Sequence, residues 1–173
     1  MKKVILSVFM LMSLTYSMQA QEVVSKNAIG LRLGDNDGFG GEISYQRQIF
    51  TNNRLEFDLG WRNSKNVDAV KLTGLYQWFW NIDKGFYWYV GVGGGAGSWR
   101  HDYNLNNGNG NDNIYYEDSG AFAFAAGDIG IEYNFKIPIQ VAIDFRPELY
   151  FNSDDFREDS FGPDVALSVR YKF

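Results

Sequence analysis

From Asn27 to the C-terminus the apolar positions recur at every second residue, the period of a strand with one apolar face and not of a helix. Eight stretches carry the pattern. In the first, Ile29, Leu31 and Leu33 alternate with Gly30, Arg32 and Gly34; in the second, Phe39, Gly41, Ile43, Tyr45 and Ile49 alternate with Gly40, Glu42, Ser44, Gln46 and Gln48. The third sets Leu55, Phe57, Leu59 and Trp61 against Arg54, Glu56, Asp58, Gly60 and Arg62. The fourth sets Val70, Leu72, Tyr76, Trp78 and Trp80 against Lys71, Thr73 and Gln77. The fifth runs from Phe86 to Trp99, with Phe86, Trp88, Val90, Val92 and Ala96 on one face and Tyr87, Tyr89, Gly91, Gly93, Gly95 and Gly97 on the other. In the sixth, Ile129, Ile131, Tyr133 and Phe135 oppose Asp128, Gly130, Glu132 and Asn134, and the pattern over 121–127 is indecisive. The seventh alternates Ile139, Val141, Ile143 and Phe145 with Gln140, Ala142, Asp144 and Arg146. The last alternates Val165, Leu167, Val169, Tyr171 and Phe173 with Ala166, Ser168, Arg170 and Lys172.

Each stretch is long enough for a tilted membrane strand, which needs about 9–11 residues. The connections after strands two, four and six are short: Thr51–Asn53, Asn81–Gly85 and Lys136–Pro138. Those after strands three, five and seven read as longer, above all Arg100–Gly120 and Asn152–Asp164, while Asp35–Gly38 reads as a tight turn. Short turns at one end and long loops at the other predict an all-β, closed, antiparallel transmembrane barrel, with the short end periplasmic and the long loops extracellular. A soluble barrel has no reason to segregate loop lengths in this way.

The first twenty residues differ in kind. Lys2 and Lys3 precede an apolar run from Val4 to Leu14, and Gln19-Ala20 is followed by polar Gln21-Glu22. Residues 1–20 are therefore expected to be a secretory signal peptide, leaving 21–173 as one barrel domain. The run is too short for a membrane helix, and a chain that spans without helices must close its sheet. Taking Lys2 and Lys3 from the 16 basic residues leaves 14 against 21 acidic ones, a net charge near −7. That balance argues against a nucleic-acid partner, whose phosphates require a basic surface. With no cysteine there is neither disulfide, thiolate metal site nor lipid anchor.

Aromatic residues make up 17% of the chain and gather at the strand ends. Tyr45, Trp78, Trp80, Phe86, Trp88, Tyr133, Phe135 and Tyr171 fall toward the short turns; Phe39, Trp61, Trp99, Tyr150 and Phe151 fall toward the long loops. These are expected to form two aromatic girdles at the membrane interfaces. The three prolines avoid mid-ladder positions: Pro138 in a turn, Pro147 near the outer rim and Pro163 before the last strand.

The closing Val165-Ala-Leu-Ser-Val-Arg-Tyr-Lys-Phe173 resembles the C-terminal signal of outer-membrane barrels, and Val169, Tyr171 and Phe173 are the positions that carry it. Together with the signal peptide and eight strands, it makes the mature chain resemble the small barrels of the OmpX, OmpW and OmpA-barrel type. The resemblance implies an outer-membrane location. It also implies outer-membrane lipid and lipopolysaccharide as surroundings, the barrel-assembly machinery as a partner during insertion, and a monomer. It is nearly silent on activity.

If the apolar face meets lipid, Arg32, Glu42, Arg54, Glu56, Asp58, Arg62, Lys71, Asp128, Glu132, Asp144, Arg146, Glu148, Arg170 and Lys172 point into the lumen. An eight-stranded barrel is just wide enough for side chains to fill it, so a charge network that plugs the lumen is favoured over an ion path. The run Gly91–Gly97 lacks the Lys-Ser/Thr of a phosphate loop and makes room for long side chains instead. His101, beside Asp102 and close to Ser98, invites comparison with lipid A-modifying barrels, but a lone loop histidine is ordinarily solvated. The Asn- and Gly-rich stretch 104–118 lacks the spacing of a calcium loop. In Ser153–Asp159, Asp154, Asp155, Glu158 and Asp159 read as a solvated loop, with cation-bridged contact to lipopolysaccharide as the sharper reading.

Three functions remain. The first is a non-enzymatic outer-membrane barrel displaying loops, in a structural or surface-contact role, with no cofactor or metal. The second is a narrow transporter for small apolar molecules, as OmpW-type barrels suggest. The third is a lipid A-modifying enzyme built on His101.

Overall fold

The computed structural model describes residues 25–34, 40–63, 67–106, 113–151 and 160–173; of 67, 102–106 and 113–117 it describes the backbone only. The signal-peptide segment, the Asp35–Gly38 turn with Phe39, and Ser153–Asp159 lie outside the described residues. Eight strands follow one another: β1 Asn27–Leu33, β2 Glu42–Phe50, β3 Asn53–Asn63, β4 Val67–Asp83, β5 Phe86–Asn106, β6 Asn113–Asn134, β7 Ile139–Phe151 and β8 Phe161–Lys172. Each pairs antiparallel with the next, and β8 pairs with β1 to close the barrel. At the closure Ile29 faces Tyr171 and Leu31 faces Val169, and the Asn27 and Phe173 backbones exchange hydrogen bonds of 3.1 and 2.9 Å. Closure leaves no sheet edge in the wall, which lipid requires.

The residues turned outward are apolar: Leu31 is 53% exposed, Leu72 55% and Val165 61%. Many of those turned inward are polar and buried, among them Arg32, Glu56, Asp58, Arg146 and Arg170. An apolar exterior around an ionic interior inverts the soluble pattern and is the arrangement that lipid selects.

Four sequence expectations need correction at the long-connection end. β5 and β6 stay paired as far as Asn106 opposite Asn113, so most of Arg100–Gly120 is strand. β3 and β4 continue to Asn63 opposite Asp68, leaving only 64–66 between them. β8 begins at Phe161, which puts Pro163 inside a strand opposite Pro147. β2 begins at Glu42 and not at Phe39. The first three share a cause: once the strands leave the membrane the apolar alternation is no longer required, so the ladder continues unmarked. At the other end the connections are short as expected. The Lys84-Gly85 turn has φ of 24° and 95°, the paired positive values of a hairpin turn whose twist matches its strands.

The indecisive stretch 121–127 also has a cause. On β6, Phe122, Phe124 and Ala126 point inward while Ala121, Ala123 and Ala125 face out. Large residues inside and small ones outside mask the alternation. Across the ladder lie Gly97 and Gly95, where a Cβ would sit 2.4 Å from the Phe122 ring and 2.5 Å from the Phe124 ring. The glycines on β5 are thus the space that the β6 rings occupy.

Candidate functional site: the lumen

Strand parity brings the predicted inward charges together. At the level of β1 and the start of β2, Arg32 bridges three carboxylates: Glu42 at 3.0 Å, Asp164 at 2.6 Å and Asp144 at 2.5 Å. Lys71 lies 3.3 Å from Glu42 and 3.2 Å from Glu148. In the middle, Arg146 crosses from β7 to Asp58 at 2.8 Å and Glu56 at 3.1 Å on β3, with Glu42 at 3.5 Å. Arg170 reaches Glu56 at 3.1 Å and donates to Ser44 at 2.9 Å. Nearer the short turns, Arg54 pairs with Glu132 at 2.5 Å and donates to Gln77 at 2.6 Å. Its guanidinium also lies over Tyr89, 4.7 Å from the ring centre. Arg146 and Asp58 are both 0% exposed. Such desolvation is offset by opposite charge, and each of these arginines has a carboxylate within 3.1 Å.

Two predicted members sit at the margin. Asp128 is buried but accepts from Gln77 and from no cation. Arg62 is half-buried at the rim, in an open cleft of about 530 Å³ lined also by Trp61, Asp68, Trp99, Arg100 and Gly120. That lining stops at the rim, above the ion pairs.

Sequence reasoning missed several members. Asp164 was expected in a loop, yet it continues the parity of Ala166 and Ser168 by one step and pairs with Arg32. Gln46 and Gln77 hydrogen-bond Glu56, and Gln140 bonds Glu132. Tyr150 donates to Glu148 at 2.5 Å.

Tyr150 and Trp99 also correct the girdle. Both are buried, 4% and 5% exposed, and cluster inside the lumen with Phe122, Phe124 and Leu75. Their parity decides this: Trp99 shares the inward face of Tyr89 and the β5 glycines, whatever its position along the strand. Among the described residues, the remaining girdle members face outward or lie half-buried. Trp80 stacks on Trp88 at 4.7 Å, Trp78 packs on Tyr76, Tyr133 touches Phe86 and Phe135, and Tyr171 stacks with Phe173. At the opposite rim Trp61 is 51% exposed. Val169, Tyr171 and Phe173 all face outward on β8 and its end.

The histidine reading meets an obstacle in the wall itself. Ser98 faces out and His101 faces in, so the two do not form a dyad. No group of three or more His, Cys, Asp or Glu side chains among the described residues is arranged to hold a metal ion.

A scan against protein-family models finds no match, and neither does a comparison with curated protein sequences. Solved structures do match. The N-terminal β-barrel domain of Pseudomonas aeruginosa OprF aligns over 86% of this chain and 98% of its own, with a TM-score of 0.58 at 11% identity. Neisserial surface protein A aligns over 85% and 94%, with a TM-score of 0.55 at 12% identity. The attachment invasion locus protein Ail of Yersinia pestis aligns over 86% and 97%, with a TM-score of 0.52 at 14% identity. The chain has the fold of the small eight-stranded outer-membrane β-barrels. At these identities the likeness is one of architecture.

Proposed function

We propose that the protein is a non-enzymatic integral barrel of a bacterial outer membrane, with short turns in the periplasm and the β5–β6 end displayed at the cell surface. Its role is structural or one of surface contact, and its lumen is a plug. The carrying observation is the buried network centred on Arg146, whose ion pairs span the interior from β7 to β2 and β3. The apolar belt supports the membrane setting, and the β5–β6 ladder, continuing past the last β6–β7 pair at Ala123 and Phe151, supports display. Outer-membrane lipid and lipopolysaccharide then surround a monomer inserted by the barrel-assembly machinery, with Val169, Tyr171 and Phe173 as its recognition signal. Surface labelling of cells at the β5–β6 end tests orientation, and planar-bilayer recordings test the plug. Labelling with no unitary conductance is expected. Steady ion or apolar-solute flux through purified protein would replace the plug by the narrow transporter.

A further inference from the structure

The β6–β7 ladder has a fault. Pairing runs from Ala123–Phe151 to Ala126–Glu148 and resumes at Ile129–Phe145 in the same register, with the Gly127–Pro147 and Asp128–Arg146 pairs missing. In an antiparallel ladder both missing pairs depend on an N–H at position 147, which proline lacks, so the Gly127 carbonyl loses its ladder donor. On the opposite side the β7–β8 ladder passes through Pro147–Pro163 unbroken, which confines the fault to one seam. The outward face of the seam is closed by the proline ring, 3.3 Å from where a Gly127 Cβ would stand.

The inward face of the same seam holds polar atoms with no hydrogen-bond partner. Asp128 accepts from Gln77 through one oxygen, and its Oδ1 has no partner. Arg146 spends Nη2 on Glu56 and Asp58, and its Nε and Nη1 make no hydrogen bond. Backbone ladder and side chains are therefore both unsatisfied at residues 127–128 and 146–147. Buried polar groups in this state are ordinarily joined by internal water making about three hydrogen bonds.

We propose that this seam is a hydration site: internal water accepts from Arg146 Nε and donates to the Gly127 carbonyl and to Asp128 Oδ1. Water thus replaces the N–H that Pro147 cannot supply. The seam is then the point at which the wall breathes, because a bridging water leaves more readily than a strand hydrogen bond breaks. This role concerns the wall and is independent of whether the lumen conducts.

Water-to-amide magnetisation transfer and hydrogen exchange, read by NMR on the full barrel in lipid nanodiscs, test it. Transfer from water is expected at Gly127 and Asp128 but not at Ile131 and Ile143, three pairs further along the ladder. Exchange at the seam should be faster by about tenfold or more. Pro147→Ala restores the N–H and should abolish the water contact and slow the seam to the rate of its neighbours. Absence of water transfer in the wild type, or an unchanged water signal in a folded Pro147→Ala barrel, overturns the proposal. If that variant does not fold, the wild-type profile alone decides.

Discussion

Two parts of the interior are filled by opposite chemistry. Around Arg32, Arg146 and Arg170 the lumen is packed with ion pairs and amide hydrogen bonds. Around Trp99, Phe122, Phe124 and Tyr150, on the β4–β7 side, it is packed with rings; Phe124 stacks on Tyr150 at 5.2 Å. The ionic part is specified by direction, since each carboxylate must meet a particular donor. The ring part is specified by volume, with a glycine on β5 opposite each phenylalanine on β6. Lys71 joins the two: it pairs with Glu42 and Glu148 while its ammonium lies 5.5 Å from the centre of the Phe124 ring.

The largest effect expected from breaking this arrangement is at Arg146. Its removal strands Asp58 in a buried interior and leaves Glu56 with Arg170 as its remaining arginine, so Arg146→Ala should cost about 3–5 kcal/mol. Urea unfolding of the barrel in detergent micelles or lipid measures it. A loss below about 1 kcal/mol would mean that the lumen is wet and screened and that the ionic half is no plug.

The contrast also explains what was legible in the sequence. Wherever charge alternates with aliphatic residues, as in Leu55–Arg62 or Ile139–Arg146, parity alone assigns both faces, and the lumen charges follow. It fails where size replaces polarity as the inside–outside signal, over 121–127, and where an aromatic residue at a strand end has two homes. Trp61 and Trp99 are such a pair: both lie near the same rim, and counting parity along each strand separates them while position does not. Partner choice was not legible at all. That Arg32 meets Asp144 and Asp164 depends on the stagger with which the barrel closes, which no single strand encodes.

Outside the wall the comparison becomes one of depth. Leu59 faces lipid at 43% exposure, opposite Ile43 on one side and Leu72 on the other. Leu59→Arg should cost about 2–4 kcal/mol if that belt lies at the bilayer midplane. Refolding titrations into lipid vesicles read this directly, and a cost near zero would move the belt out of the hydrocarbon.

The ring part is sharpened at Gly120. A Cβ there would lie 2.9 Å from the Trp99 indole and meets side-chain atoms of that residue alone among its nearest neighbours. Gly120→Ala should therefore cost about 1–3 kcal/mol through overpacking. In a double-mutant cycle Trp99→Leu should recover most of it, and additive losses would show that the indole does not occupy the lumen.

The smallest effect separates the two tryptophans of the rim. Trp61 on β3 is half exposed, at the end of the apolar belt, where a long cationic side chain reaches water by extending along the strand. Trp61→Arg should cost only about 0–1 kcal/mol, the value for a charge near the interface. Trp99 stands at a similar height on β5 but packs against the interior cluster, with His101 at 5.6 Å between ring centres. There the same substitution places a guanidinium among rings, away from the carboxylates that hold Arg32 and Arg146. Trp99→Arg should accordingly be much the more damaging, and unfolding curves of the two variants in one lipid give the difference directly. Equal losses would mean that the face of the wall does not matter at the rim, and that height along the strand alone sets the tolerance for charge.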